Sequence, residues 1–104
     1  MGMTPEGKIK HRLDKMLKSL GVWYFSPQSG PFGRSGIPDR IVCVCGQFVG
    51  IEAKKDRNTK PTALQLSCML GIEEAGGTCF VVYDDDTIAT VRDYLKGILD
   101  RARY

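Results

Sequence analysis

The amino-acid sequence predicts an α/β domain in the order αβββαβα, a small mixed sheet flanked by helices. Three observations predict it: helical periodicity at both ends of the chain, a long extended block from residue 37 to 53, and a further extended run at 79–83 after a helical stretch. At 104 residues, 42% hydrophobic and 26% charged, the chain has the composition of one globular domain over residues 1–104, which excludes a second independent core. A chain of this size buries roughly 60–70% of its unfolded surface, so nearly every segment is needed for the core.

Thr4-Pro5-Glu6 opens the first helix: Thr4 caps free N–H groups, Pro5 suits the first helical position, and Glu6 meets the positive end of the helix dipole. Ile9, Leu13, Met16, Leu17 and Leu20 form its apolar face, and Gly21 is its stop. Lys8, Lys10, His11, Arg12, Lys15 and Lys18 occupy the remaining, solvated surface. Residues 22–25 read as a short β-branched and aromatic strand, and residues 26–36, rich in glycine and proline, as a surface loop. The extended block then splits at Gly46-Gln47 into strands at 41–45 and 48–53, with glycine in the first position of a type II′ hairpin turn. After a polar loop at 56–61, Thr62-Ala63-Leu64-Gln65 fits a capping box opening a second helix that ends at Gly76-Gly77. The nearly continuous apolar run 79–83 reads as a strand buried on both faces. Asp84, Asp85 and Asp86 cap a last helix with apolar positions Ile88, Val91, Leu95, Ile98 and Leu99.

No apolar run approaches the ~20 residues of a membrane span, and residues 1–10 are charged without the apolar stretch of a signal peptide, so the expected compartment is the cytoplasm. Fifteen Lys and Arg against twelve Asp and Glu give a net charge of +3, which allows a nucleic-acid partner without demanding one. Cys43, Cys45, Cys68 and Cys79 lie in apolar stretches without Cys-x-x-Cys spacing and read as buried thiols rather than zinc ligands.

The hairpin carries the chemistry. With Gly46-Gln47 as the turn, Ile41 lies opposite Glu52 and Asp39 opposite Lys54. Alternation then projects Asp39, Glu52 and Lys54 from one face and Val42, Val44, Val49, Ile51 and Ala53 from the other, the latter an apolar surface for a helix. Asp39 and Glu52 become diagonal neighbours at roughly 7–8 Å between backbone positions, near enough for their carboxylates to converge on one ion. Two anions so placed repel unless a cation or a proton compensates, which makes a divalent metal the natural third party. Two carboxylates, a divalent cation and a lysine suit attack of water on a phosphodiester. Spacing alone leaves a second reading open: a Lys54–Asp39 salt bridge at the hairpin end, with Glu52 solvated.

Gly36-Ile37-Pro38-Asp39, followed by Glu52-Ala53-Lys54, resembles the PD-(D/E)xK nuclease motif. Its setting resembles the VRR-NUC (virus-type replication-repair nuclease) branch in its short, stand-alone phage or prophage form. Thr4-Pro5-Glu6 with its helix, the Gly-rich loop, Thr62-x-x-Gln65, and Ala75-Gly76-Gly77 before a hydrophobic strand follow that family's order. The resemblance implies a restriction-endonuclease-like fold and a metal-dependent DNA endonuclease using Mg²⁺ or Mn²⁺. It makes Asp39 and Glu52 metal ligands, the backbone carbonyl of Ala53 a further ligand, and Lys54 the catalytic lysine. Glu6 corresponds to the family's first-helix acid, which approaches the metal directly or through water, and Gln65 to a glutamine that braces the site. Each of these two also has a plainer reading, Glu6 as a dipole partner and Gln65 as half of a capping box. Arg40 is directed by alternation to the opposite face, away from the acids.

Lys55, Arg57 and Lys60, beside the motif lysine, are the expected DNA contacts, joined by Arg34, which with Phe32 in the glycine loop reaches toward branched DNA. Paired cuts on opposite strands are most simply made by two copies related by a twofold axis, so a homodimer acting on four-way junctions is expected. Two alternatives stand beside this reading: a non-catalytic nucleic-acid-binding module, and a nuclease subunit whose partner supplies specificity.

Overall fold

The structure, a computed structural model, describes residues 2–28 and 33–102. Helix α1 (Pro5–Leu20) begins where the Thr4 hydroxyl accepts the Gly7 N–H at 3.0 Å, and it ends on Gly21 in the left-handed region. Strands β1 (Trp23–Phe25), β2 (Arg40–Val44) and β3 (Gln47–Ala53), helix α2 (Ala63–Glu74), strand β4 (Thr78–Val82) and helix α3 (Asp85–Arg101) complete the expected αβββαβα order. The sheet runs β1-β2-β3-β4, antiparallel except for the parallel β3–β4 pair that α2 connects. Both later helices carry capping boxes, Thr62 with Gln65 on α2 and Asp84 with Thr87 on α3.

One sheet face holds the core. Val42, Val44, Val49, Ile51, Ala53 and Val82 meet Leu13 and Leu17 of α1 and Val91 and Leu95 of α3, all buried, as alternation along the hairpin requires. The other face is covered by α2 over β4 and left partly bare elsewhere, where Trp23 and Phe25 of β1 and Phe48 of β3 remain exposed. Gly36 ties the loop before β2 to this helix. Its φ is +83°, and a Cβ there would lie 2.6 Å from the Leu64 carbonyl oxygen, so only glycine lets Gly36-Ile37-Pro38-Asp39 run this close to the start of α2.

Several details differ from the sequence reading. Val44 pairs with Gln47, so the turn is Cys45-Gly46, with φ of 50° and 79°; this is type I′ rather than type II′. Both turn types suit the strand twist, and packing selects between them. Pro38 lies over Gly50, where a Cβ would come within 2.9 Å of its ring, and the type II′ register would bring the Glu52 side chain toward that place. The cost is a cysteine in the left-handed region. Cys43 and Cys45 are exposed and Cys68 and Cys79 only partly covered, not buried, because the bare sheet face and the turn shield neither of the first two. Strand β4 is an edge strand with a helix on each face, in which only Val82 is fully buried and the rest are half-buried.

Candidate active site

The hairpin end away from the turn is where β2 begins and β3 ends. One step beyond the Arg40–Ile51 pair, Asp39 stands directly opposite Glu52, not diagonal to it and not opposite Lys54. The Asp39 N–H donates to Glu52 Oε1 at 3.2 Å, and the Ala53 N–H donates to Asp39 Oδ2 at 2.9 Å, so each acid is held by the other strand's backbone. The Lys54 N–H donates to the Val82 carbonyl on β4 at 2.9 Å. Ala53 therefore turns both its N–H and its carbonyl toward the Asp39 side.

Glu52 is 1% exposed, and its Oε2 has no hydrogen-bond partner. The Lys54 ammonium, itself on a buried side chain, stands 3.9 Å from that oxygen, too far for a hydrogen bond. The reading of Glu52 as a solvated residue beside a Lys54–Asp39 bridge is thus overturned, because Lys54 pairs with the buried Glu52. Burial pushes the Glu52 carboxyl well up, and the neighbouring Asp39 pushes it further, with Lys54 offsetting only part. At Asp39 burial acts in the same direction, but hydrogen bonds with Glu52 and the Ala53 N–H, together with Lys10, hold this carboxyl below its ordinary value. The pair is pushed in opposite directions: Asp39 is held toward the anion and Glu52 toward the neutral form.

Helix α1 supplies the compensating cation. Lys10 Nζ lies 3.5 Å from Asp39 Oδ1 and 3.3 Å from Glu6 Oε2. Although burial works against its charge, Asp39 and Glu6 together raise its pKa. Four residues on, Asp14 grips Arg40 through two bonds of 2.7 and 2.9 Å, and Arg40 in turn donates to the Asp39 carbonyl at 2.7 Å. Arg40 thus points to the α1 side, as alternation requires, and stays out of the acid cluster. Glu6, Lys10 and Asp14 form one half-buried stripe along α1, facing the open end of the hairpin. The sequence reading placed Lys10 among the solvated surface residues and did not single out Asp14. The signal available was the Glu6-x-x-x-Lys10-x-x-x-Asp14 spacing with alternating charge.

Glu6 reaches Asp39 only by way of Lys10, and among the described residues no three His, Cys, Asp or Glu side chains are drawn together as a ready cluster. Gln65 uses its side-chain carbonyl to accept the Thr62 N–H at 2.9 Å, and no hydrogen bond joins it to Lys54. Lys55, Arg57 and Lys60 are exposed on the loop that leaves the site, whose shape is set by three 2.9 Å bonds converging on Asp56 Oδ1. The Lys60 ammonium donates within that loop to the Arg57 carbonyl at 3.3 Å. Arg34 lies elsewhere, lining an apolar groove of about 890 Å³ between α2 and the adjoining sheet face, and none of Asp39, Glu52 and Lys54 lines that groove. Phe32 is outside the described residues.

The donor set fits a hard divalent cation. An orphaned, buried carboxylate oxygen, a second carboxylate oxygen held only by an ammonium, and a backbone carbonyl turned to the same side are the ligand types that magnesium and manganese take.

A mixed sheet between helices, with two acids and a lysine at the open end of its central hairpin, defines a restriction-endonuclease-like α/β fold. A solved structure described as "VRR_NUC domain" matches with a TM-score of 0.77 at 29% sequence identity, covering 88% of this chain and 97% of that one. The chain thus has the fold of a VRR-NUC domain, a nuclease fold. No family model matches the sequence, and no curated protein does.

Proposed function

We propose that the chain is a metal-dependent endodeoxyribonuclease that hydrolyses phosphodiester bonds, selects branched DNA such as four-way junctions, and acts as a homodimer. In this reading residues 1–104 form one phage-type nuclease domain working in the cytoplasm of a bacterial cell. The observation that carries the reading is the unpartnered, buried Glu52 Oε2 beside Asp39 and Lys54. Leaving a buried carboxylate oxygen unsatisfied is costly in a domain of this size, and it is explained if that oxygen is a ligand.

A bound Mg²⁺ or Mn²⁺ ion would neutralise charge at the phosphate and lower the pKa of water. Asp39, Glu52 and the Ala53 carbonyl would hold it, with Glu6 reaching it through water. Lys54 orients the attacking water, a task suited to an ammonium held on a buried stem at the end of β3. Gln65, on the first turn of α2, supports the lysine side. Lys55, Arg57 and Lys60 contact backbone phosphates beside the scissile bond, and Arg34 contacts a second arm of the junction.

Helix α2 favours the dimer. It carries apolar residues on every side, yet Met69 is its only buried residue, while Leu64, Leu66 and Leu70 are each more than half exposed. A helix apolar all round is ordinarily buried. Leu64 shares the apolar groove with Phe25 and Phe48, and with Trp23 beside them these residues form an exposed apolar patch of the kind that marks an interface. A second copy seated on α2 and this patch would cover them.

The test is incubation of the purified chain with labelled duplex, flap and four-way-junction DNAs, with and without Mg²⁺ or Mn²⁺, beside sedimentation equilibrium at micromolar concentration. Metal-dependent, paired symmetric incisions in the junction by a dimer are expected. Cutting without metal, or none on any substrate, would overturn the assignment, and a strictly monomeric protein that nicks single strands would reduce it to a simple nicking nuclease.

A further inference from the structure

We infer that Lys10 is a tethered counter-ion of this site: its ammonium holds the acids together in the metal-free protein, competes with the divalent cation for Asp39, and so sets how tightly the site takes metal. The inference rests on the nuclease reading above and goes beyond it by assigning a function to a residue outside the motif.

The geometry gives Lys10 a defined place. Helix α1 puts it one turn after Glu6, and its Nζ bridges Glu6 at 3.3 Å and Asp39, on another element, at 3.5 Å. An ordinary i,i+4 surface pair would need only the first of these contacts. Asp39 Oδ2 is already taken by the Ala53 N–H, so Oδ1 is the oxygen left to face an ion, and Lys10 stands on it.

The charges at the site make the competition necessary. Glu6, Asp39 and Glu52 face two ammonium groups, Lys10 and Lys54. Adding a doubly charged cation with both ammonium groups in place would leave the site with excess positive charge at close range. With the three carboxylates ionised, withdrawal of one ammonium would bring that balance to zero. Lys54 has a side chain only 9% exposed and little room to move, whereas that of Lys10 is 33% exposed on a flexible four-carbon stem that can swing to water. Lys10 is therefore a positioning residue that acts through Asp39.

The test is calorimetric titration of the full chain with Mn²⁺ at neutral pH. Lys10→Met should bind Mn²⁺ about tenfold more tightly than wild type, since a competing charge has gone, whereas Lys10→Arg should stay near wild type. Without metal, Lys10→Met should melt at a lower temperature than wild type, and saturating Mn²⁺ should remove that difference. Should Lys10→Met prove too unstable to titrate, Lys10→Gln removes the same charge, keeps a donor toward Asp39 and should show the same gain. Equal or weaker Mn²⁺ affinity in the charge-removing variants, or a melting deficit that persists in Mn²⁺, would make Lys10 a scaffold residue and overturn the inference. Asp39→Asn separates the two levels. If wild type binds Mn²⁺ and Asp39→Asn does not, the nuclease reading stands and only the role of Lys10 is in question; if neither wild type nor the Lys10 variants bind Mn²⁺, both fall together.

Discussion

The two ends of the β2–β3 hairpin hold local strain of different kinds. At the turn, Cys45 sits at a φ of 50°, a conformation that costs an L-residue energy and serves nothing but chain reversal. At the open end, Asp39 and Glu52 are pressed together, and Glu52 Oε2 is buried without a partner. The surroundings show which strain is kept for a use. Nothing packs around the turn, and a Cβ at the adjacent Gly46 would meet open space. Around the open end, Lys10, Lys54 and the Ala53 N–H converge on the unfavourable pair, and Arg40 anchors the Asp39 backbone carbonyl. Strain that is held by its surroundings is characteristic of functional sites.

The comparison breaks most directly by neutralising one acid. Asp39→Asn or Glu52→Gln should lower metal-dependent DNA cleavage by at least ~10²–10³-fold, while the metal-free protein becomes no less stable and DNA binding in the absence of metal survives. In Glu52→Gln the new amide can donate to the Asp39 carboxylate, replacing a repulsion with a hydrogen bond. Full cutting by either variant would place the open end on a level with the turn. Chelation of divalent metal should silence the wild type as completely as these substitutions do.

Lys54→Met comes next. It should lower turnover without a comparable loss of Mn²⁺ affinity, since the ammonium acts on water rather than on the ion. Calorimetry that showed the Lys54 and Glu52 variants equally unable to bind Mn²⁺ would make the lysine structural.

A smaller effect is expected in stability against pH. The Glu52 carboxyl is raised to about 8 in the folded protein, first by burial and then by Asp39, from an unfolded value of 4.5. Between those values the folded state holds a proton that the unfolded chain has lost, so metal-free stability should fall as pH rises through this window. Asp39, with its value lowered, acts in the opposite sense and only in acid, where stability is lost as pH falls through its folded value. Denaturant unfolding across this range should show the decline in wild type and a flat profile in Glu52→Gln.

The smallest effect belongs to the turn. Cys45→Asn installs the Asn-Gly pair that a type I′ turn favours and should stabilise the protein by roughly 0.5–1 kcal/mol, with cleavage unchanged. Thermal melts and cleavage assays on the same preparation would check both. Relief of strain would thus leave the protein no less stable at either end and sharply lower activity at one.

Much of the fold was legible in local chemistry. Thr4 and Gly21 bound α1, Thr62 and Gln65 open α2, and Asp84 caps α3, because capping depends on residues within one turn of each other. The shared face of Asp39, Glu52 and Lys54 was legible even though the turn was misplaced: the register moved by two residues, and a period of two returns every side chain to the same side. What the sequence by itself determined, then, is what depends on neighbours along the chain: the order of elements, their ends, and the face on which each strand residue lies. Tertiary structure alone decided that Pro38 over Gly50 selects a type I′ turn, that Asp39 stands directly opposite Glu52, that Cys43 and Cys45 lie open and β4 is only half-buried, and that Lys10 rather than Arg40 reaches the acids. These depend on how helices seat against the sheet, and a cation on α1 meets an anion on β2 only through a packing angle that no spacing within either segment specifies.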